Sequence, residues 1–270
     1  MTARWGAVFV CQGGGLERKA ALLAASIRRR NGPAPQLVAA IPGPSAMWPR
    51  PTDATLAYLD RLNVRIEETE NPIGEHYPIG NKLGCLAVAP KVDRCFFLDS
   101  DLLALKPVLA ADLPIAAVAA KPEDRPGPWS DKRAWRRLYR WAGIPKWNRD
   151  DEIVTTISGH RIPPYFNAGV VGFDPASDFA ERWLSWAKRI DPTTEIIHRH
   201  PWLDQLALPI AASEMGVKPE RLDASWNWPA HHWLLEEPVR FAHYHEPAVI
   251  EEDPMLWTAF RELVDGDDEL

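Results

Sequence analysis

The sequence predicts an α/β fold, an open and largely parallel sheet with helices on both faces. Three observations carry that expectation. Apolar runs of strand length alternate with segments of helical periodicity over the first hundred residues. Gly and Pro clusters punctuate the junctions. The strand–helix–strand order then repeats, and in one chain this forces parallel neighbours joined by crossover helices.

Taken in order, residues 6–11 are an apolar run suited to a buried strand that stops at Gly13-Gly14-Gly15. Residues 16–30 place Leu16, Ala20, Leu23 and Ile27 at helical spacing, with Asn31-Gly32-Pro33 as the stop. Residues 36–41 read as a second strand closed by Pro42-Gly43-Pro44. Thr52-Asp53 caps a helix through Leu62, and 63–67 follow as a third strand. Residues 78–88 look helical and 93–98 form a dense apolar strand. Further on come a strand at 164–173, a helix at 178–188, a helix at 203–215 interrupted by Pro209, and a strand at 239–244. Residues 1–250 thus read as a single domain with a helical insertion at 121–149, and 251–270 as a C-terminal helix and acidic tail.

Composition removes several functions. The chain of 270 residues holds 31 Lys+Arg against 37 Asp+Glu, a net charge of −6 that speaks against a general nucleic-acid binder. Its three cysteines, Cys11, Cys85 and Cys95, form no C-x-x-C pair and fit a reducing compartment. No apolar run approaches the length of a membrane span, so the expectation is a soluble cytoplasmic protein. Two counts stand out, 13 Trp and 26 Pro. Four of the tryptophans (129, 135, 141 and 147) lie in the insertion, which carries nine basic residues against three acidic ones. There Trp135, Leu138, Tyr139 and Ala142 share one helical face and leave the arginines outside.

The strongest chemical signal is Cys95-Phe96-Phe97-Leu98-Asp99-Ser100-Asp101, a buried strand that ends on two carboxylates. Open α/β sheets bind ligands at the carboxyl ends of their strands, where these acids fall. Hard oxygen ligands suit Mg²⁺ or Mn²⁺, which keep positions open for water and a diphosphate. The plainer alternative is a turn cap at Asp99 and a solvated Asp101. Downstream the chain reads Phe166-Asn167-Ala168-Gly169, then Trp202-Leu203-Asp204-Gln205, Trp226-Asn227-Trp228 and Phe241-Ala242-His243-Tyr244-His245. With Asn81-Lys82-Leu83 upstream, this ordered set resembles the glycogenin-like and galactosyltransferase-like glycosyltransferases of family 8, over roughly residues 5–246.

That resemblance implies a GT-A fold, Rossmann-like with a single mixed and mostly parallel sheet flanked by helices, and transfer of a sugar from a nucleotide-diphosphate donor, with retention of configuration. It implies that Asp99, Asp101 and His243 hold a Mn²⁺ or Mg²⁺ ion that bridges the donor phosphates. Lys82 adds a cation, and Asn167, Asp204 and Gln205 line the sugar pocket as the catalytic set. Gln12, Gly13, Ser100 and Asn227 complete the donor site. Acceptor recognition falls to Trp135, Arg136 and Arg137: indole faces stack on sugar C–H faces, and arginines hold an anionic acceptor or anionic lipid headgroups. The acceptor is then a glycan or a lipid-linked sugar, with peripheral membrane contact if lipid-linked. Each residue keeps a second reading. Asn167 satisfies a buried turn, Asp204 caps a helix, Gln205 lies on the surface, and Trp135 anchors a helix to its own core. His243 and His245 share a strand face, so either is eligible as the ligand.

The sequence departs from the family in two places. No Gly and Lys-Pro-Trp follow the late His, and the first loop lacks the usual Asp/Asn-x-x-Tyr for the nucleobase. Two other classes compete. Gly13-Gly14-Gly15-Leu16-Glu17-Arg18-Lys19 faintly matches the triphosphate loop of a sugar-1-phosphate nucleotidyltransferase, and a non-catalytic carbohydrate-binding protein would keep the fold alone.

Overall fold

The computed structural model describes residues 3–144 and 152–266. Lys146, Trp147 and Arg149 of the basic segment, and residues 267–270 of the acidic tail, lie outside the described residues. The elements follow as β1 (Trp5–Val10), α1 (Gly15–Asn31), β2 (Gln36–Gly43), α2 (Asp53–Arg61), β3 (Val64–Glu70), α3 (Gly80–Cys85), β4 (Arg94–Leu98) and β5 (Leu102–Ala104). Next are β6 (Val118–Pro122), α4 (Lys132–Ala142), β7 (Ile153–Val154), β8 (Arg161–Ile162), β9 (Phe166–Phe173), α5 (Phe179–Ile190) and α6 (Leu203–Glu214). The chain closes with β10 (Glu220–Arg221), β11 (Trp228–Pro229), β12 (Phe241–His243), α7 (Pro247–Glu252) and α8 (Pro254–Val264).

Seven strands form one sheet in the order β10-β6-β9-β4-β1-β2-β3. The half built from β3, β2, β1 and β4 is parallel, as the alternation predicts. The other half is not uniform: β9 runs antiparallel to both β4 and β6. A strand buried on both faces is apolar throughout, so its direction leaves no mark in the sequence. The sheet also holds β6, whose last two residues fall within the segment 121–149 expected as a helical insertion. A second, three-stranded sheet (β11-β12-β5) hangs below the exit of β4, with β5 antiparallel to β12.

Side chains of β1 alternate between two cores. Val8 and Val10 pack on the side that holds Trp183 of α5 and Leu206 of α6. Ala7 and Phe9 pack opposite, against Leu23 and Ile27 of α1. The far face of α1 buries Leu22 and Ala25 against Leu256 and Leu263 of α8. Pro209 does not interrupt α6, which is continuous from Leu203 to Glu214. It removes one intrahelical donor, and the helix is buried enough for packing to carry it.

Helix α4 shows what the basic segment does. Asp131 caps its start by accepting from the Arg133 amide, and Gly143 ends it at φ 68°. Trp135 and Leu138 are fully buried on the inner face, and Arg136 and Arg137 are exposed. The Trp135 indole meets Trp129 edge-on at 5.6 Å and donates Nε1–H to the Trp129 carbonyl. Among the described residues no helix is long and apolar enough to cross a membrane.

Candidate active site

Strand order reverses at β1 and β4, so the chain opens a crevice at their carboxyl ends. Asp99 is the first residue past β4, and its amide donates to Gly169 O at 2.8 Å, extending the β4–β9 ladder by one bond. Ser100 is buried and its hydroxyl donates to Val10 O, which ties the turn to the end of β1. The chain then leaves the main sheet as β5. Register within the small sheet sets His243 opposite Leu102. Residues 142 positions apart thereby meet, with His243 Nε2 at 3.0 Å from Asp101 Oδ1.

Gly169 explains the small residue in Phe166-Asn167-Ala168-Gly169. A Cβ there would lie 2.7 Å from His243 Cε1 and 2.9 Å from Asn167 Oδ1, so any side chain would evict the imidazole. The hydrogen bonds behind His243 also have a fixed direction. The Gly169 amide donates to Asn167 Oδ1 at 2.8 Å, which makes that atom the amide oxygen. Asn167 Nδ2 then donates to Glu123 Oε2 (2.7 Å), and Asn227 Nδ2 donates to Asn167 Oδ1 (2.8 Å). Asn227 Oδ1 is left as the acceptor for His243 Nδ1 at 3.0 Å. His243 therefore keeps a proton on Nδ1 and turns Nε2 to the cleft, where Nε2–H donates to Asp101 while no ion is bound and the nitrogen is placed to ligate one once that proton leaves.

Lys82 forms the second centre. It is 8% exposed, and its Nζ lies 2.8 Å from Asp204 Oδ2, 3.1 Å from Asp99 Oδ1 and 3.2 Å from the Ala168 carbonyl. The other Asp204 oxygen accepts from the buried Tyr77 hydroxyl at 3.0 Å. Burial alone would lower the Lys82 pKa, but Asp204 and Asp99 outweigh it and hold the ammonium charged. The two motif acids diverge. Burial, with the like charge of Asp101, pushes Asp99 up despite Lys82. Burial acts on Asp101 too, but His243, His245 and Lys19 together pull it well below the usual carboxylate range.

A cleft of about 610 Å³ gathers Gln12, Lys82, Asp99, Asp101, Asp204 and Gln205, with Ser100, Asn167 and His243 on its walls. Asn81 and Gln205 line it, and their side-chain oxygens, Asn81 Oδ1 and Gln205 Oε1, are buried without a hydrogen-bond partner among the described residues. Buried oxygens are rarely left so. A larger cavity of about 1050 Å³ lies beyond α1, against α2 and α7. Glu246 is the one acidic residue on its wall, so the chemistry belongs to the smaller cleft.

Five expected residues lie elsewhere. Gly13 turns its amide to Pro49 O at 2.7 Å and is absent from the cleft wall. Asn227 stands behind His243 with both ends of its amide engaged, so it positions the imidazole and does not face the cleft. Trp135 offers no surface to a sugar because the α4 core covers it, which corrects its expected place in acceptor binding. Arg136 and Arg137 lie on the solvated face of α4, off the cleft wall. Sequence reasoning missed Tyr77 and Glu123, which no motif marks. Lys19, with Nζ 3.9 Å from Asp101 Oδ2, was legible as the residue one helical turn after Gly15.

Comparison with known proteins bears on the whole arrangement. The Rhodobacterales glycosyltransferase domain matches residues 7–216. The chain belongs to that family. It is a glycosyltransferase with a GT-A fold. An active-site variant of LgtC superposes with a TM-score of 0.62 at 14% identity, covering 97% of this chain and 95% of that one. The galactosyltransferase LgtC in complex with donor and acceptor sugar analogues gives 0.59 at 16% identity, with the same coverage. Mouse xyloside xylosyltransferase 1 gives 0.51 at 15%, covering 89% of this chain and 97% of that one. A search of curated proteins gives no match. The carboxyl-end cleft holds nine of the expected residues around one space, eight of them within the matched range and His243 beyond it.

Proposed function

We propose that this glycosyltransferase moves a sugar from a nucleoside-diphosphate donor to a carbohydrate acceptor, with a divalent metal ion and with retention. The observation that supports the reading is one cleft whose wall gathers Lys82, Asp99, Asp101, Asp204, Gln205 and His243, with His243 Nε2 3.0 Å from Asp101 Oδ1 and Lys82 Nζ between Asp99 and Asp204. A carboxylate with an imidazole whose Nε2 is turned outward suits Mn²⁺ or Mg²⁺, and such an ion neutralises charge on a leaving diphosphate. Asp101 and His243 would hold it.

The chain's own groups do the rest. Asn167 and Asn227 keep His243 in one tautomer and one orientation. Lys82 holds Asp99 and Asp204 in place on the cleft floor. Asn81 and Gln205 line the cleft and position the donor. The cation expected after the late His is missing, and Lys19 supplies one beside Asp101 for the phosphates. The acceptor enters from a cup of about 190 Å³ next to the cleft, where Trp202 and Trp233 offer indole surface beside Arg125. The unpaired buried cysteines support a reducing, cytoplasmic setting.

Incubation with Mn²⁺ and a panel of nucleotide sugars tests the reading. Release of nucleoside diphosphate that stops on chelation is expected, and the anomer formed reports retention. Pyrophosphate release from a nucleoside triphosphate would assign a nucleotidyltransferase instead. Glycan binding without turnover or metal would assign a binding protein.

A further inference from the structure

The cleft holds a second imidazole that the metal reading so far leaves idle. His245 Nδ1 lies 3.7 Å from Asp101 Oδ2, while His243 Nε2 holds Asp101 Oδ1 at 3.0 Å, so the two imidazoles address opposite oxygens of one carboxylate. Their rings stack at 3.8 Å with 27° between planes. One ligand atom from each of Asp101, His243 and His245 falls within 4.8 Å of the others.

Backbone and neighbours hold His245 there. Tyr244 is buried and its amide donates to Asp101 O, and although β12 ends at His243 the stacked rings place 243 and 245 on the same side. His245 itself adopts φ 56°, a left-handed conformation that a non-glycine residue takes at a cost of about 1–3 kcal/mol and that clusters at functional sites. Its ring rests edge-on against His231 at 4.0 Å. Its carbonyl accepts from Lys19 Nζ. Neither ring nitrogen makes a hydrogen bond among the described residues, so the lone pair is uncommitted. Asp99 is the contrast. Its Oδ2 stands 3.9 Å from His243 Nε2, but Lys82 Nζ lies 3.1 Å from one of its oxygens and 3.3 Å from the other, so both oxygens are already engaged by an ammonium.

We infer that His245 is a metal ligand together with Asp101 and His243, and that Asp99 serves Lys82 in place of the ion. The inference rests on the metal-dependent reading above. A set of two imidazoles and one carboxylate is softer than two carboxylates and one imidazole, which moves preference from Mg²⁺ towards Mn²⁺ and the later transition ions.

Mn²⁺ itself is the probe, followed by electron paramagnetic resonance without any sugar nucleotide. Free Mn²⁺ loses its six-line signal on binding, and electron spin-echo modulation reports coordinated imidazole nitrogen. Wild-type protein is expected to bind Mn²⁺ with modulation from two imidazoles. His245→Ala, and His245→Asn, which tolerates the left-handed backbone, should each lower affinity by about ten-fold or more and leave one imidazole. Both should also narrow the preference for Mn²⁺ over Mg²⁺, with thermal melting unchanged as proof of folding. Asp99→Asn should keep both imidazoles and most of the affinity. The reverse pattern, with Asp99→Asn losing the ion and the His245 variants keeping it, overturns the assignment while sparing metal dependence. Wild-type protein that takes up no Mn²⁺ overturns the metal-dependent reading and the assignment with it.

Discussion

The cleft at the ends of β4 and β12 and the helix α4 both drew attention in the sequence for the same reason, charge beside aromatic residues. They use it in opposite ways. At the cleft the charges are paired and withdrawn from water: buried Lys82 is shared by buried Asp204 and half-buried Asp99, and half-buried Asp101 by His243 and, at the rim, Lys19. On α4 the charges are in water and the aromatic residue is buried, with Trp135 wholly covered and Arg136 and Arg137 exposed. Buried charge is costly unless it is paired, so its presence marks a site. A solvated row of arginines costs nothing and marks only the outside of a helix. Variants should therefore separate activity from stability along the same line.

The largest expected effect is on catalysis. Asp101→Asn should remove metal-dependent donor hydrolysis by more than the roughly 100-fold that loss of an outer-shell partner costs. Its melting temperature should stay near wild type, because the amide still bonds His243. Full activity in this variant would take Asp101 out of the metal site. Trp135→Ala should do the opposite, costing about 3–5 kcal/mol of stability by denaturant titration. Its kcat, measured well below the melt, should be retained. Equal kinetic damage from both variants would erase the contrast between the regions.

Lys82→Met should affect both. It leaves buried Asp204 and half-buried Asp99 without a counter-charge, and removing one partner of a buried pair such as Lys82–Asp204 costs about 3–5 kcal/mol. Donor turnover should fall as well. A variant that loses turnover at full stability would mean that the cleft floor is wetter than the paired charges imply.

How much of this was legible depended on whether the residues were local. The carboxylates after β4 and the glycine under His243 announce themselves, because a strand end and a small residue in an apolar run leave local marks. The half of the sheet from β1 to β4 was legible for the same reason. The antiparallel β9 was not, since a strand buried on both faces reads alike in either direction. Tyr77 and Glu123 were invisible too: each matters through one partner more than 40 positions away, Asp204 and Asn167, and no spacing rule connects them. Trp135 misled because a helix face of indole and leucine fits a sugar platform and a core anchor equally well, and only burial decides.

A smaller effect should appear with pH in metal-free protein. Burial, reinforced by the neighbouring histidines, pushes His231 down to about 4 and His245 down to about 3. An unfolded histidine titrates near 6.5, so between about 4 and 6.5 the unfolded chain binds protons that the native protein does not. Stability contributed by these neutral imidazoles is present above that window and is lost as pH falls through it. Melting temperature should drop on acidification from pH 7 to pH 4, and less steeply in His231→Ala. Parallel curves for the two proteins would show that His231 titrates normally in the fold.

The smallest effect should come from Arg136→Glu with Arg137→Glu. Both side chains face water on α4 and neither lines the cleft, so donor hydrolysis should match wild type, and melting should shift little because surface charges contribute at most about 1 kcal/mol. What remains for them is contact with the far end of an acceptor, or with the anionic surface that carries it. In that case the double variant transfers normally to a short neutral sugar and poorly to a long or vesicle-borne anionic acceptor, and the deficit shrinks at high salt. Loss of donor hydrolysis in step with transfer would join the two regions into one site. Unchanged transfer to every acceptor would leave the arginines as the solvated face of a helix whose work is done by the buried Trp135.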